Sequence, residues 1–439
     1  MNYIRKVCFY AVTLFALTAN AQSFDKEKLD QFLDLIESNN QGMGSLAISK
    51  NGVVEYSRAI GFSSVEEKIE ANENTLYRIG SITKTFTATL IMQLVEQKKL
   101  TLSDNISSYF PKLPNAEKIT ITHLLRHRSG IYNITNEPDF TEWMISKHSR
   151  EQLFKKILSA EPVFEPDSKA EYSNSNYILL TLIIEDVEQK SYQEVLKESI
   201  LDPLELKYSD FGDQIEIDKN EAYSYFLEDK TWQSVPESDI SIPLGAGGIV
   251  STPTELNFFF HQLFSGSLLN ASSIEAMTQI EDRFGLGLLQ VPFYSKKGFG
   301  HNGGIDAFAS MAYYFPEDQV AVSYFSNGTV MPINDILVGA LSIYFGKSYD
   351  LPTFRLVERE ILEKYIGTYS SPAFPLDISI FLENDQLKAQ ATGQGAFTLE
   401  TVTDKEFKYS AAGIKVKFDE EGSKMKFEQM GRSFELNKK

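Results

Sequence analysis

Apolar residues recur at helical spacing near the start of the chain, at Leu29, Phe32, Leu33 and Ile36, and predict an opening helix. The next stretch, "SLAISKNGVVEYSRAIGF", places two strand-like runs around Asn51-Gly52, the strongest short hairpin signal. Gly80 breaks the pattern. Beyond it, Thr87, Leu90, Ile91, Leu94 and Val95 predict a long helix with one apolar face, and Ile178, Leu179, Leu182 and Ile183 predict another behind a polar turn. Towards the C-terminus the period shortens to two. "DISIFLENDQLKAQA" reads as a hairpin, "FTLETV" and "KEFKYS" as strands, and "IKVKFDEEGSKMKFEQMGRSFELN" as a closing meander. Short, evenly spaced strands of this kind predict a small closed or nearly closed all-β barrel after a mixed α+β region.

The length of 439 residues fits a large domain followed by a smaller one, and 42% hydrophobic content is enough for two cores. A formal charge of −18 disfavours nucleic acid or an anionic membrane as partner. The N-terminus "MNYIRKVCFYAVTLFALTANAQS" reads as a signal peptide over residues 1–21: Arg5 and Lys6 precede an apolar stretch, and Ala19-Asn20-Ala21 is a small-x-small cleavage site. The apolar stretch Val7–Ala19 is shorter than the roughly 20 residues of a membrane span. Cleavage after Ala21 and a periplasmic or secreted mature protein, without stable membrane insertion, are therefore expected. Cys8, the sole cysteine, would leave with the leader, removing thiol chemistry from the mature chain.

Ser-x-x-Lys occurs three times, at Ser23/Lys26, Ser81/Lys84 and Ser423/Lys426. The first lies beside the cleavage site and the third in an alternating strand pattern. Ser81 and Lys84 sit one turn apart at the start of the predicted long helix, where a lysine withdrawn from water can take a proton from a neighbouring hydroxyl. The helix N-terminus adds partial positive charge where an oxyanion would develop. A capping serine beside a solvated lysine would look the same in this stretch alone. Tyr172-Ser173-Asn174 supplies a phenol and an amide in the polar turn; near a lysine ammonium, such a phenol deprotonates more easily and relays a proton. His301-Asn302-Gly303-Gly304 lies between two strand-like segments, with glycines that let a substrate approach a strand edge and a histidine able to hydrogen-bond or carry charge near neutral pH.

Ser81-x-x-Lys84, Tyr172-x-Asn174 and His301-x-Gly303, in this order and at roughly these separations, resemble the serine β-lactamase and penicillin-binding-protein superfamily, most closely its class C branch of carboxypeptidases, aminopeptidases and esterases. Phrases such as "YRIGSITKTFTA", "ITITHLLRHRSGIYN" and "GAGGIVSTPTEL" fit as well. The resemblance implies an α+β domain over residues 22–350, with an antiparallel sheet flanked by helices and a helical lobe. Residues 357–439 resemble the lipocalin-like domain appended to such hydrolases, there to shape access, bind substrate or only stabilise the fold. The resemblance makes Ser81 the nucleophile, Lys84 its base and Tyr172 the proton shuttle. Asn174 would orient the substrate amide, His301 would help to bind a carboxylate or support Tyr172, and Asn302, Gly303 and Gly304 would also bind substrate. The N–H groups of Ser81 and Gly304 would form the oxyanion hole.

The third motif reads His-Asn-Gly where class C β-lactamases usually read Lys-Thr-Gly, which removes a permanent cation and a hydroxyl. A peptidase acting on D-amino-acid peptides, or an esterase, is therefore expected ahead of a β-lactamase, with a small molecule or peptide, cell-wall material included, as substrate. The alternative from another class is a non-catalytic or slowly deacylating penicillin- or peptide-binding sensor. There is no Gly-x-Ser-x-Gly elbow and no complete dinucleotide or phosphate-loop pattern. His123 and His127, four apart, could share a helix face, but no His-Glu-x-x-His signature or further ligand cluster accompanies them, so no metal and no organic cofactor is expected.

Overall fold

The computed structural model describes residues 24–383, 385–429 and 431–439; the predicted leader, with Cys8, lies outside them. Six antiparallel strands form the first sheet, in the spatial order Leu289–Phe293, Lys296–Ile305, Phe308–Phe315, Val320–Thr329, Gly42–Lys50 and Val53–Ile60. The Asn51-Gly52 hairpin forms as its sequence requires: both residues take positive φ, 52° and 76°, and Lys50 pairs with Val53. The helix Lys26–Ser38 buries Leu29, Phe32, Leu33 and Ile36 on one face of the sheet, beside the helix Ile333–Tyr344.

The opposite face carries the helix Pro253–Phe264. Its buried Asn257 donates to Ala47 O (3.0 Å) and accepts from Ser323 Oγ (2.7 Å), tying the helix to two strands. Beyond it lies a helical lobe built on the helices Thr83–Glu96 and Asn174–Glu188. The first of these departs from the amphipathic expectation, because every residue from Thr83 to Met92 is buried. β-branched threonines are weak helix formers. Here their hydroxyls are satisfied locally or by the lobe: Thr85 Oγ1 donates to Gly287 O (2.8 Å), Thr87 Oγ1 to Gly245 O (2.6 Å) and Thr89 Oγ1 to Thr85 O (2.8 Å). Satisfied hydroxyls let a threonine-rich helix run through a core without orphaned polar groups.

After the short helix Arg359–Glu363, nine antiparallel strands between Gly367 and Lys438 form a nearly closed barrel. The two ends of this sheet, Phe397–Thr398 and Glu400–Thr401, are contiguous in the chain on either side of Leu399. Alternation in Ile414–Phe418 sends Ile414, Val416 and Phe418 inward, where they fill the interior with Tyr369, Met425 and Leu436. The barrel docks beside the helix Ile333–Tyr344, where Tyr409 Oη donates to Asp335 Oδ1 (2.7 Å). A cleft of about 330 Å³ runs along this junction.

Candidate active site

Ser81 occupies the turn Gly80–Ile82 that leads into the helix Thr83–Glu96. Lys84, one turn on, is fully buried, and its Nζ lies 2.9 Å from Ser81 Oγ, 2.8 Å from Asn174 Oδ1 and 2.6 Å from Ala246 O. Burial drives the Lys84 pKa well below its ordinary value, and no carboxylate is among its hydrogen-bond partners. The geometry accommodates the neutral amine. Asn174 Oδ1 and Ala246 O can only accept, so they take its two hydrogens and leave the lone pair facing the Ser81 hydroxyl.

Tyr172 Oη donates to Ser81 Oγ at 2.8 Å. Burial raises the Tyr172 pKa, opposite in direction to the easier deprotonation expected of a phenol beside a lysine ammonium. Asn174 opens its helix, and its side chain is oriented by Asn133 Oδ1 (3.4 Å) and Thr135 Oγ1 (3.3 Å), which accept from Nδ2.

His301-Asn302-Gly303-Gly304 does not link two strands; it lies inside one, Lys296–Ile305. The neighbouring strand Leu289–Phe293 pairs with it only as far as Gly300, so residues 301–305 have a partner on one side and an open edge on the other. Asp306 and Ala307 form a two-residue hairpin turn, which makes Ile305–Phe308 a hydrogen-bonded pair and by alternation turns the Gly304 N–H towards the open edge. Two glycines bring this edge onto Ser81. Gly80 takes φ +51°, and a Cβ there would stand 2.7 Å from Gly304 N. A Cβ on Gly303 would stand 2.1 Å from Ile79 O and 3.0 Å from Ser81 N. The backbones touch where side chains would otherwise be, which sets Ser81 and Gly304 close together.

Of the two roles open to His301, hydrogen bonding and charge near neutral pH, the surroundings favour the first. It is buried, its Nδ1 donates to Asn302 O at 2.5 Å, and desolvation with nearby Lys84 lowers its pKa to about 3. Asn302 is exposed on the same strand.

His123 and His127 do not share a helix face, because their helix ends at Leu125 and His127 takes φ +55°. His127 instead lies at the site, in the segment that the family resemblance makes a structural turn near it. Its ring lies 4.4 Å from that of Tyr172, and its Nδ1 accepts from the Ser173 N–H at 3.2 Å. Arg78 and Asp306 were unmarked by any motif. The Arg78 guanidinium is buried and donates to Asp306 Oδ2 (3.1 Å) and Glu237 Oε2 (2.6 Å), while Asp306 Oδ1 accepts from Ser238 N (2.9 Å) and Oγ (2.5 Å). Only folding brings these distant positions together. Among the described residues, no three His, Cys, Asp or Glu side chains are grouped to hold a metal.

Two clefts meet at Ser81. One, of about 370 Å³, runs past Asn174 and Gly304 between Ile134, Phe140, Met144, Ile178, Ile242 and Ile305. The other, of about 640 Å³, is lined by Tyr172, Arg283, Gln290, His301 and Asn302. Among the described residues, none from the barrel lines either cleft. The arrangement is suited to acyl transfer through a serine.

Residues 31–336 match the family described as Beta-lactamase. The teichoic acid D-alanine hydrolase of Staphylococcus aureus (strain MRSA252) is 28% identical over 301 residues, covering 67% of this chain and 72% of that protein. The octameric penicillin-binding protein homologue from Pyrococcus abyssi superposes with a TM-score of 0.70 at 26% identity, over 94% of this chain and 100% of that one. The D-amino acid amidase from Ochrobactrum anthropi SV3, in complex with L-phenylalanine amide, gives a TM-score of 0.61 at 27% identity, over 69% and 91%. With a buried lysine and a tyrosine converging on one serine at the junction of sheet and helical lobe, the chain belongs to the β-lactamase-like superfamily of serine hydrolases.

Proposed function

We propose that the protein hydrolyses amides or esters of D-configured acyl groups, as D,D-peptidases and D-aminopeptidases do, through an acyl-enzyme on Ser81. The observation that carries this reading is the pair of contacts on Ser81 Oγ, a neutral-prone amine at 2.9 Å and a phenol at 2.8 Å. The D-configuration is supported by what the relatives are named for, a D-alanine hydrolase and a D-amino acid amidase.

In this mechanism Ser81 Oγ attacks the carbonyl carbon while its proton passes to the Lys84 lone pair. The amides of Ser81 and Gly304 receive the oxyanion, helped by the helix N-terminus. Tyr172 gives its proton to the departing oxygen or nitrogen and recovers one from the Lys84 ammonium. Water then attacks the acyl-enzyme, its proton passing to Lys84 or through Tyr172, and the alcohol of Ser81 is restored. Asn174 keeps its proposed place beside the substrate amide. Its Oδ1 also holds Lys84 in line.

Burial holds His301 neutral, so the third motif offers no cation to a β-lactam carboxylate, which favours peptides and esters. The substrate is a small molecule or peptide, cell-wall material included, met in the periplasm or outside the cell.

Intact-protein mass spectrometry tests the reading. A stoichiometric fluorophosphonate adduct that disappears in Ser81→Ala is expected, with a penicillin adduct whose time course separates trapping from turnover. If wild type and Ser81→Ala both stay unlabelled by both reagents, the protein is a non-catalytic binder.

A further inference from the structure

We infer that the acyl half of the substrate carries a bulky, uncharged, apolar side group, taken into the cleft between Ile134, Phe140, Met144, Ile178, Ile242 and Ile305. The inference rests on the proposed acyl-enzyme at Ser81 and goes beyond it by naming what the acyl group carries.

The two clefts are told apart by Tyr172. As the proton donor to the leaving group it must stand on the leaving-group side, and it lines only the cleft of His301 and Asn302. The cleft on the Asn174 side therefore receives the acyl group. Its volume of about 370 Å³ lies at the small-ligand end of binding cavities, far more than a methyl side chain fills. The one ionisable side chain in its lining is Asp306, and that carboxylate is closed off. Its side chain is fully buried, ion-paired with Arg78 at 3.1 Å and hydrogen-bonded by Ser238 N and Oγ at 2.9 and 2.5 Å. Asn174 Oδ1 is committed to Lys84. A charged amine gains no ion pair inside such walls and loses its water. A phenyl or alkyl group exchanges water for aliphatic contacts.

Burial of each methylene is worth about fourfold in an equilibrium or rate constant. Relative to a methyl, a benzyl or pentyl group should thus raise kcat/KM at least tenfold. The experiment compares kcat/KM of the mature protein for p-nitrophenyl acetate and hexanoate, and for the p-nitroanilides of D-alanine, D-phenylalanine and N-acetyl-D-phenylalanine. Hexanoate above acetate, D-phenylalanine above D-alanine, and no loss on N-acetylation are expected. Met144→Trp, at a half-buried wall position, should collapse the hexanoate-to-acetate ratio at least tenfold, and Met144→Ala should raise it.

Preference for the smaller acyl group in either series overturns the inference, as does a Met144→Trp variant that folds, labels at Ser81 and keeps the wild-type ratio. If the anilides are untouched while hexanoate is preferred, the apolar cleft stands and the D-aminoacyl reading falls. Fluorophosphonate labelling of Ser81 without turnover of any ester or anilide overturns both.

Discussion

Lys84 and Tyr172 approach the same atom, Ser81 Oγ, at 2.9 and 2.8 Å, and burial moves their proton affinities in opposite directions. The amine is pushed towards losing its proton and the phenol towards keeping one. These directions suit the lysine to the role of base and the tyrosine to that of acid.

From this follows the pH profile. kcat/KM for p-nitrophenyl hexanoate should rise with pH through the depressed Lys84 pKa and hold its plateau past the usual tyrosine range. Lys84→Arg should lower kcat by about 10²–10⁴ and remove the acidic limb, since a guanidinium does not deprotonate. A profile that instead falls near pH 7 would show that a charged lysine is needed.

Stability carries the same signature. In the folded state Lys84 is neutral well below its unfolded pKa of about 10.4. Between the two values the unfolded chain binds one more proton, so folding becomes more favourable as pH rises. The melting temperature of Lys84→Met minus that of wild type should therefore shrink from pH 7 to pH 10. His301, with a folded pKa of about 3, acts in the acid range, and His301→Gln should flatten the loss of stability below about pH 6.5.

Gly80→Ala tests the junction of turn and strand. A methyl would fall within 3.0 Å of three backbone atoms of Gly304, at a residue with φ +51°. Either Gly304 retreats or the turn does, and each separates the two amides. A kcat loss on the order of 10²–10³ is expected with p-nitrophenyl hexanoate.

Arg78→Met should leave Asp306 buried without its cation. Removing one partner of a buried pair costs about 3–5 kcal/mol, readable by urea denaturation. Because Asp306 turns the strand that carries Gly304, a variant as stable as wild type and equally active would show that the network positions nothing.

Tyr409→Phe should behave oppositely. It strips the hydrogen bond from Asp335, a buried carboxylate whose pKa is already raised, and should cost about 1–3 kcal/mol. With no described barrel residue in either cleft, kcat/KM should not move.

Much of this was legible in the chain. Leu29, Phe32, Leu33 and Ile36 announced their helix because one face meets water and the other the sheet. Asn51-Gly52 announced its hairpin because positive φ at two successive residues selects those residue types. The helix after Ser81 was harder. Buried all round, it has no polar face, and its threonines look exposed in sequence because their acceptors, Gly287 and Gly245, lie far along the chain. At the site, the residues bound by short spacing to chemistry were visible. Their protonation states were not, since Tyr172 and His301 are governed by a burial that only the folded lobe creates. Arg78, His127 and Asp306 contact the site through partners about 45 to 230 positions away, and no local pattern marks such pairs.

The two sheets deal with their margins differently. In the barrel, the first and last strands are one stretch of chain bent at Leu399, so little unpaired backbone is left for a foreign strand to add to. The six-stranded sheet leaves the margin from His301 to Ile305 uncovered, beside Ser81. An unpaired strand is ordinarily a hazard, inviting aggregation with any extended peptide. Here it is short, set in a cleft and begun by a buried histidine, so the same stickiness is confined to chains that can thread past Ser81.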